Sequence, residues 1–337
     1  MTAPAIAAAA GRARIGVITN PNSRRNLSGF AEMARLLDGA SNAHHAVLEK
    51  ITDIPDILDR FANDGIDVVA VAGGDGTVQA VLTEIYGRRP FQRVPMLAVL
   101  PRGTTNMTAA DIGLPRQGDK DVLGSIARLL AASPAELEAA VTVRRVLRAE
   151  NALNRAPQYG MFFGGAGICR AIEACRTQVH PLKLGADLTA AVMLAGVLGG
   201  WLLGRRRGAG QGGIFYGDRI TVTLDDGPAE TMEALVILAT TLDRLILRSR
   251  PFWGEAGGHL RFTAIAYPPQ QLLRHAWRIL YGGAQRKLPA ANYRSRASDR
   301  VALAMDCPFT LDGEIFQPTP GRALILTAAD EARFVRL

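Results

Sequence analysis

A run of small and β-branched apolar residues that ends in a glycine-rich turn constrains the fold of this chain more than any other feature. The run covers residues 68–72, VVAVA, and the turn covers residues 73–77, GGDGT. Five consecutive apolar residues predict a strand buried on both faces, which is typical of a parallel sheet covered by helices. Apolar residues at helical spacing from Val78 to Ile85 predict a helix that begins at Thr77.

The turn at residues 73–77 has the properties of a phosphate-binding site. Its glycines leave room for a ligand, so that several N–H groups can point into one concavity. The helix N-terminus that follows carries a partial positive charge, which favours an anion. A tight turn without a ligand would also use these glycines. Asp75 favours a site, because a carboxylate there can hold a hydroxyl group or a phosphate-bound magnesium ion.

Short apolar segments alternate with helical patterns on both sides of this stretch. Strands are predicted at residues 15–19, 45–48, 68–72 and 96–100, and helices at residues 30–37, 54–61 and 77–85. This order predicts a parallel sheet with helices on both faces, in which ligands bind beyond the carboxyl ends of the strands. Polar turns follow three of the strands, at residues 20–26, 73–77 and 101–106. Such residues are common in ordinary loops, but three polar strand ends together favour one shared phosphate-bearing ligand.

The composition limits the class of protein further. Of the 337 residues, 48% are hydrophobic and 21% charged, as in a globular protein long enough for two domains. The formal net charge of +8 favours an anionic partner. No nucleic-acid-binding module is recognisable, so we predict no nucleic-acid partner. Three cysteines without metal-ligand spacing fit a reducing cytoplasm and argue against a disulfide framework.

The pattern changes near residue 140, from alternating strands and helices to strands with turns between them. Strands are predicted at residues 141–148, 159–163, 214–224, 232–239, 260–266 and 301–305, and a tight turn at residues 309–314. Few helices intervene, so this half is predicted to be mainly antiparallel, as a sandwich or an open barrel. We therefore predict a disordered tail over residues 1–13, an α/β domain over residues 14–140 and a β-rich domain over residues 141–320.

Four motifs occur in a fixed order along the chain. They are Asn20-Pro21, the turn at residues 73–77, PRGTTN at residues 101–106 and DGE at residues 312–314. Together they resemble the diacylglycerol kinase catalytic-domain family, which includes bacterial lipid kinases and sphingosine and ceramide kinases and is distantly similar to NAD kinases. The resemblance covers roughly residues 14–327. It implies an NAD-kinase-like first domain and a last segment, residues 321–337, that returns to it.

The resemblance also implies an activity, ATP-dependent phosphorylation of a lipid alcohol with Mg2+, in an interdomain cleft. Glu314 is expected as the general base. Asp75 is the rival base and the expected magnesium or hydroxyl partner. No metal ligands are assigned, because the region that helps to hold a structural magnesium in many bacterial relatives reads Gly257-Gly258-His259 here. The residues expected to bind ATP are Asn20, Asn22, Ser23, Arg24, Thr52, Gly73, Gly74, Asp75, Gly76, Thr77, Gly103, Thr104 and Asn106.

Residues 188–204 are uncharged and precede three consecutive arginines. At ~1.5 Å per residue they would reach about 25 Å as a helix, less than the ~30 Å core of a bilayer. They are predicted either as a buried helix or as a surface helix with Trp201 in the bilayer and the arginines at anionic head groups. In the second case residues 188–207 would hold a cytoplasmic enzyme peripherally at an anionic membrane.

Three other functions compete with a lipid kinase acting on diacylglycerol-, ceramide- or sphingoid-like acceptors. A soluble kinase of the NAD-kinase type is disfavoured by the apolar segment at residues 188–204. A sensor that binds lipid or nucleotide without turnover is disfavoured by the presence of both Asp75 and Glu314. A dinucleotide-dependent oxidoreductase is disfavoured because the turn lacks the G-x-G-x-x-G spacing. The sequence leaves open the lipid acceptor and whether the chain forms a homodimer.

Overall fold

The computed structural model describes residues 11–23, 30–103, 106–113, 119–174, 216–254 and 257–337. The chain forms two compact units. Unit 1 comprises Met1–Arg144 and Ala332–Leu337, and unit 2 comprises Arg145–Glu331. The chain therefore leaves unit 1 once and comes back to it at its end.

Unit 1 contains a parallel sheet in the order β2-β1-β3-β4. The strands are β1 (Ile15–Thr19), β2 (Ala43–Val47), β3 (Val68–Gly73) and β4 (Met96–Pro101). The helices of this unit are α1 (Phe30–Asp38), α2 (Ile54–Asn63), α3 (Asp75–Arg88), α4 (Met107–Asp111), α5 (Asp119–Ala131) and α6 (Pro134–Ala139). Every residue of β1, β3 and β4 is buried, which confirms the predicted parallel sheet.

Helices cover both faces of this sheet. Ile15 and Val17 of β1 share a core with Met33 of α1 and Ile126 of α5. Gly16 lies between them and points to the other face, where a Cβ atom would lie 2.5 Å from the ring of Phe61 in α2. The small side chain at residue 16 therefore allows α2 to pack closely on the sheet.

Helix α3 begins at Asp75, two residues before the predicted start at Thr77. Gly74 is the extended N-cap residue, with φ −92° and ψ 178°. Its carbonyl oxygen accepts hydrogen bonds from the N–H groups of Thr77 and Val78, at 3.0 and 3.1 Å. The helix therefore starts inside the glycine turn, and Asp75 occupies its first position.

Unit 2 is mainly antiparallel, as predicted. Every strand pairing of unit 2 whose register is described is antiparallel. The remaining strands are β5 (Val141–Glu150), β6 (Gln158–Gly160), β7 (Phe162–Ala166), β8 (Asp218–Leu224), β9 (Glu230–Thr240), β10 (Leu260–Ala266), β11 (Tyr293–Ser298), β12 (Arg300–Ala304), β13 (Phe309–Leu311), β14 (Glu314–Phe316) and β15 (Leu324–Val335). Strands β5 and β15 begin in one unit and end in the other.

Two features of unit 2 differ from the sequence-based expectation. Helices α7 (Gly167–Ala174) and α8 (Leu272–Tyr281) were not predicted. The strand predicted at residues 159–163 is divided at Met161, because the N–H groups of Met161 and Phe162 turn to the carboxylate of Asp312. Strand β6 therefore pairs with β5, whereas β7 pairs with β9 and β13.

Residues 1–10 of the predicted tail and residues 188–207 lie outside the described residues. At the end of the predicted tail, Ala13 is instead buried in the core of unit 1. In the part of the chain that the structure describes, no helix has the length and apolar character needed to span a bilayer.

Candidate functional site

The polar turns after β1, β3 and β4 lie side by side in unit 1. The register places Thr19 opposite Ala72, and Gly73 opposite Pro101. Hydrogen bonds continue beyond the strand ends, from Asn20 N to the Ala72 oxygen at 3.0 Å and from Arg102 N to the Gly73 oxygen at 3.1 Å. The sheet therefore brings the described parts of the three turns together at its carboxyl edge.

The loop after β1 is joined to the first turn of α3. The Asn20 side-chain Nδ2 donates a hydrogen bond to Thr77 Oγ1 at 2.9 Å. Asn20 Oδ1 accepts one from the N–H of Asn22 at 3.0 Å, and the Asn20 carbonyl accepts one from the N–H of Ser23 at 3.1 Å. Asn20 thus fixes both the loop and the start of the helix.

Gly74 and Gly103 approach each other too closely for a side chain between them. A Cβ atom on Gly103 would lie 2.5 Å from the Cα of Gly74 and 3.0 Å from Oδ1 of Asn106. A Cβ atom on Gly73 would lie 2.8 Å from that of Thr77. The Cα of Gly74 is a backbone atom and Asn106 is buried, so neither can easily move away from an added Cβ atom. Glycine is therefore required at residue 103 for the turns after β3 and β4 to meet.

Asn106 holds the turn after β4 in shape. Its Oδ1 accepts a hydrogen bond from the N–H of Gly103 at 2.8 Å, and its Nδ2 donates one to the Gly103 carbonyl at 2.7 Å. Asn106 has φ and ψ of 47°, a left-handed conformation that asparagine tolerates better than most residues. The asparagine of the PRGTTN motif is therefore needed for the local backbone geometry.

Asp75 is the carboxylate at this edge of the sheet. Its Oδ2 accepts a hydrogen bond from the N–H of Met107 at 3.1 Å, and its Oδ1 a longer one from the N–H of Thr108 at 3.4 Å. Burial raises the pKa of Asp75 to about 6, against the opposing effect of backbone N–H groups from residues 106–108. Near neutral pH the carboxylate is therefore ionised and close to the glycine turn, where it could hold a cation or a hydroxyl group.

Sequence reasoning missed a pair of side chains at the end of β1. Thr19 is fully buried, and its Oγ1 lies 3.0 Å from Nε2 of His45 in β2. Burial lowers the pKa of His45, although Asp38 partly offsets this. The only signal in the sequence for this pair is Thr19, a threonine that ends an apolar strand.

Further predicted residues lie in the segment after β2 or outside the described residues. Thr52 is exposed, in a short 3-10 turn, Ile51–Asp53, that precedes α2. The hydrogen bonds described for that turn stay within it, as from Lys50 N to Asp53 Oδ2 at 2.8 Å. Arg24 and Thr104 lie outside the described residues.

The DGE motif of unit 2 contains two carboxylates in opposite environments. Asp312 is 5% exposed, whereas Glu314 is exposed at the start of β14. Asp312 and Gly313 form a two-residue hairpin turn with φ of 49° and 93°. The Asp312 carboxylate accepts hydrogen bonds from Met161 N at 2.8 Å and Phe162 N at 2.9 Å. Asp312 therefore holds the turn on which Glu314 is presented.

We expect Asp312→Ala to destabilise the protein by about 2–5 kcal/mol, because it leaves two backbone donors without their acceptor. Chemical denaturation would measure the change in the free energy of unfolding. Asp226→Ala, in an exposed turn after β8, is the matched control and should change that free energy by less than about 0.5 kcal/mol. Equal stability of the two variants would contradict this role for Asp312.

Comparisons with known proteins show that most of unit 1 is similar to a known protein family. Residues 14–137 match the model of the diacylglycerol kinase catalytic domain. This match confirms the resemblance to that family seen in the motifs of unit 1.

Individual relatives agree with the match. Diacylglycerol kinase of Bacillus subtilis is 33% identical over 108 residues, which cover 31% of this chain and 34% of that protein. Probable lipid kinase YegS of Salmonella arizonae is 32% identical over 111 residues, covering 33% of this chain and 37% of that protein. The chain thus spans about a third of the length of the curated relatives it matches.

The likeness in structure extends further than the likeness in sequence. A crystal structure of a putative diacylglycerol kinase from Bacillus anthracis matches with a TM-score of 0.60, covering 96% of this chain and 97% of that one. The sequence identity is 16%, so this match shows the fold alone. The DGE motif lies outside the part matched by the family model.

Proposed function

We propose that this protein is an ATP-dependent lipid kinase. It would transfer the γ-phosphate of ATP to the hydroxyl group of a diacylglycerol-, ceramide- or sphingoid-like lipid, in the cytoplasm at an anionic membrane surface. The observation that carries the proposal is the close approach of Gly74 and Gly103, with Asp75 beside them, in a domain of the diacylglycerol kinase catalytic family. The names of the relatives, diacylglycerol kinase and probable lipid kinase, support the same class of acceptor.

The geometry of the three turns supports a site for the phosphates of ATP. The glycines after β3 leave backbone groups accessible, and α3 directs its positive N-terminus to the same edge. Asn20 and Asn106 keep the neighbouring loops in place by the hydrogen bonds described above. Positioning and neutralisation of charge provide most of the catalysis in phosphoryl transfer.

In the proposed reaction the lipid oxygen attacks the γ-phosphorus in line with the bond to the β–γ bridging oxygen. That bond breaks as the new phosphorus–oxygen bond forms, so the products are ADP and a lipid phosphate. Glu314 accepts the hydroxyl proton, a role that its exposed carboxylate on a fixed hairpin can perform. Asp75 is the alternative base.

Asp75 is also the residue that fits a magnesium ion bound to the phosphates. Its carboxylate supplies the oxygen ligands that Mg2+ prefers, and one or two carboxylates with substrate phosphates are the usual protein contribution. Magnesium neutralises charge on the phosphates in kinases of this chemistry. The described residues contain no cluster of three or more His, Cys, Asp or Glu side chains.

The proposal is tested with purified protein, magnesium and γ-labelled ATP. The lipid acceptors are diacylglycerol, ceramide and sphingosine in detergent mixed micelles. NAD is tested as the soluble acceptor that a kinase of the NAD-kinase type would use. We expect label in at least one lipid and none in NAD. Label in NAD alone, or in no acceptor while ATP binds, would contradict a lipid kinase.

We expect Glu314→Gln to lower the turnover number by about 10²-fold, since it removes the acceptor of the proton. The glutamine keeps the shape of an exposed side chain, so the midpoint of thermal unfolding should not change. Asp226→Asn, which removes another exposed carboxylate of unit 2, should retain full turnover. Wild-type turnover of Glu314→Gln would assign the base to another residue.

A further inference from the structure

Helix α8 of unit 2 is buried on one side and carries a continuous apolar stripe on the other. Leu272, His275 and Ile279 are buried, and the two aliphatic residues join a core with Tyr293 of β11. On the opposite side Leu273, Trp277 and Tyr281 are 38%, 73% and 37% exposed. Three exposed residues at a spacing of four form one stripe along the helix.

The aromatic end of this stripe is ordered by its neighbours. The rings of Trp277 and Tyr281 have centroids 4.5 Å apart. Tyr281 donates a hydrogen bond from its hydroxyl group to the Leu247 carbonyl at 3.3 Å, and Ile246 beside it is 39% exposed. An indole that is three-quarters exposed gains little from folding, and an exposed apolar patch around it is typical of a surface that contacts a partner.

Positive charge lies directly beside the stripe. Arg274 and Arg278, next to Leu273 and Trp277 along the helix, are exposed. No Asp or Glu occurs between Glu255 and Asp299 in the sequence. The basic residues of this acid-free segment are Arg261, Arg274, Arg278, Arg286, Lys287, Arg294 and Arg296. Arg261 and Arg294 form ion pairs with Asp243 and Glu230, so the charge beside the stripe is mainly that of Arg274 and Arg278.

Arg286 attaches the end of α8 to the rest of the unit. Its guanidinium donates hydrogen bonds to the carbonyl oxygens of Arg278 and Ile279 in the last turn, and to those of Arg250 and Phe252, at 2.8 and 2.9 Å. A cation at a helix C-terminus is also favoured by the helix dipole. The helix is therefore held as a fixed surface, and its exposed side requires no rearrangement to make a contact.

We propose that the exposed side of α8, formed by Leu273, Arg274, Trp277, Arg278 and Tyr281, docks unit 2 onto an anionic lipid bilayer. Tryptophan and tyrosine favour the interface of a bilayer, and arginines beside them would meet anionic head groups. A second copy of this chain would present the same positive charge and be repelled. Docking can be measured without turnover; its use in reaching a lipid acceptor rests on the proposed lipid kinase function.

The test is sedimentation of the full chain with vesicles of phosphatidylcholine, with and without phosphatidylglycerol. We expect binding that requires phosphatidylglycerol and weakens with salt. Arg274→Glu with Arg278→Glu should weaken partitioning at least about 30-fold, since each basic residue near such a surface contributes about fivefold. Trp277→Ala should also weaken it. The double variant Arg155→Glu with Arg322→Glu is the matched control for the arginines, and Leu153→Ala is the matched control for Trp277→Ala. Both alter exposed residues elsewhere in unit 2 and should bind vesicles as the wild type does.

Three outcomes would overturn the proposal: no vesicle binding by the wild type, equal binding by the α8 variants, or equal loss in the matched controls. A midpoint of thermal unfolding equal to that of the wild type would show that each variant is folded. Turnover with lipid in detergent micelles separates the two proposals. If the α8 variants lose turnover on vesicles only, both proposals are supported, whereas vesicle binding without turnover on any lipid rejects the kinase and retains the docking surface.

Discussion

Asp75→Asn is expected to lower kcat/KM for the proposed ATP-dependent phosphorylation of lipid by about 10³-fold, because the amide removes the negative charge at the proposed phosphate site. Asparagine preserves the size of the side chain and one acceptor for the Met107 and Thr108 N–H groups, so the fold should persist. Steady-state kinetics at saturating magnesium would measure the loss.

The pH dependence gives a second signature of Asp75. Its pKa in the folded protein is about 6, above its ordinary value of 3.8, because the carboxyl group is buried. If the ionised form is required, kcat/KM rises with pH through about 6. The contribution of Asp75 to folding stability has the opposite sign: the folded state binds its proton more tightly, so stability decreases as pH rises from about 4 to about 6 and is constant above that.

Asp75→Asn should abolish this pH dependence of stability. Asp67→Asn is a suitable control. Asp67 immediately precedes β3, at the opposite end of that strand from Asp75, and its carboxylate accepts a hydrogen bond from Arg14 N. It should retain catalysis. An Asp75→Asn variant with wild-type turnover, or one without a changed pH profile of unfolding, would contradict the assignment.

Gly103→Ala is expected to weaken ATP binding at least about 100-fold. The added methyl group would lie 2.5 Å from the Cα of Gly74, a backbone atom that can move only if the two turns separate. Such overpacking typically costs about 1–3 kcal/mol of stability. Equilibrium binding of a fluorescent ATP analogue and denaturation together would measure both effects.

Gly124→Ala is the matched control for this substitution. Gly124 lies in α5, and a Cβ atom there would meet no atom within 4 Å. Alanine should stabilise that helix by about 0.5–1 kcal/mol and leave ATP binding unchanged. Equal ATP affinity of Gly103→Ala and the wild type would show that the turns after β3 and β4 need not meet.

The sequence was sufficient for most of unit 1, because its strands are buried on both faces and give uninterrupted apolar runs. The residues around Val68 and Met96 predict β3 and β4 nearly to their observed ends. It was not sufficient for α8, where exposed Leu273, Trp277 and Tyr281 make the side opposite the buried Leu272 and Ile279 apolar as well. The tertiary contacts of Leu272 and Ile279 determine that helix.

The candidate site also contains some features that the sequence predicts and others that it does not. Glycines at strand ends, such as Gly74 and Gly103, indicate the site from sequence, because parallel strands bring their carboxyl ends together. The role of Asp312 could not be predicted, since its acceptor function depends on backbone groups of residues 161 and 162, far away in the chain. For the same reason sequence could not separate the buried Asp312 from the exposed Glu314.

The return of the chain to unit 1 affects which fragments of the protein can fold. Phe334 of β15 pairs with Leu97 of β4, and Val335 is part of the core of unit 1. A truncated product that stops at the end of the family match, residue 137, would lack this partner and leave β4 as an unprotected edge prone to aggregation. We therefore expect the segment matched by the family model not to fold on its own, and soluble expression to require the C-terminal strand.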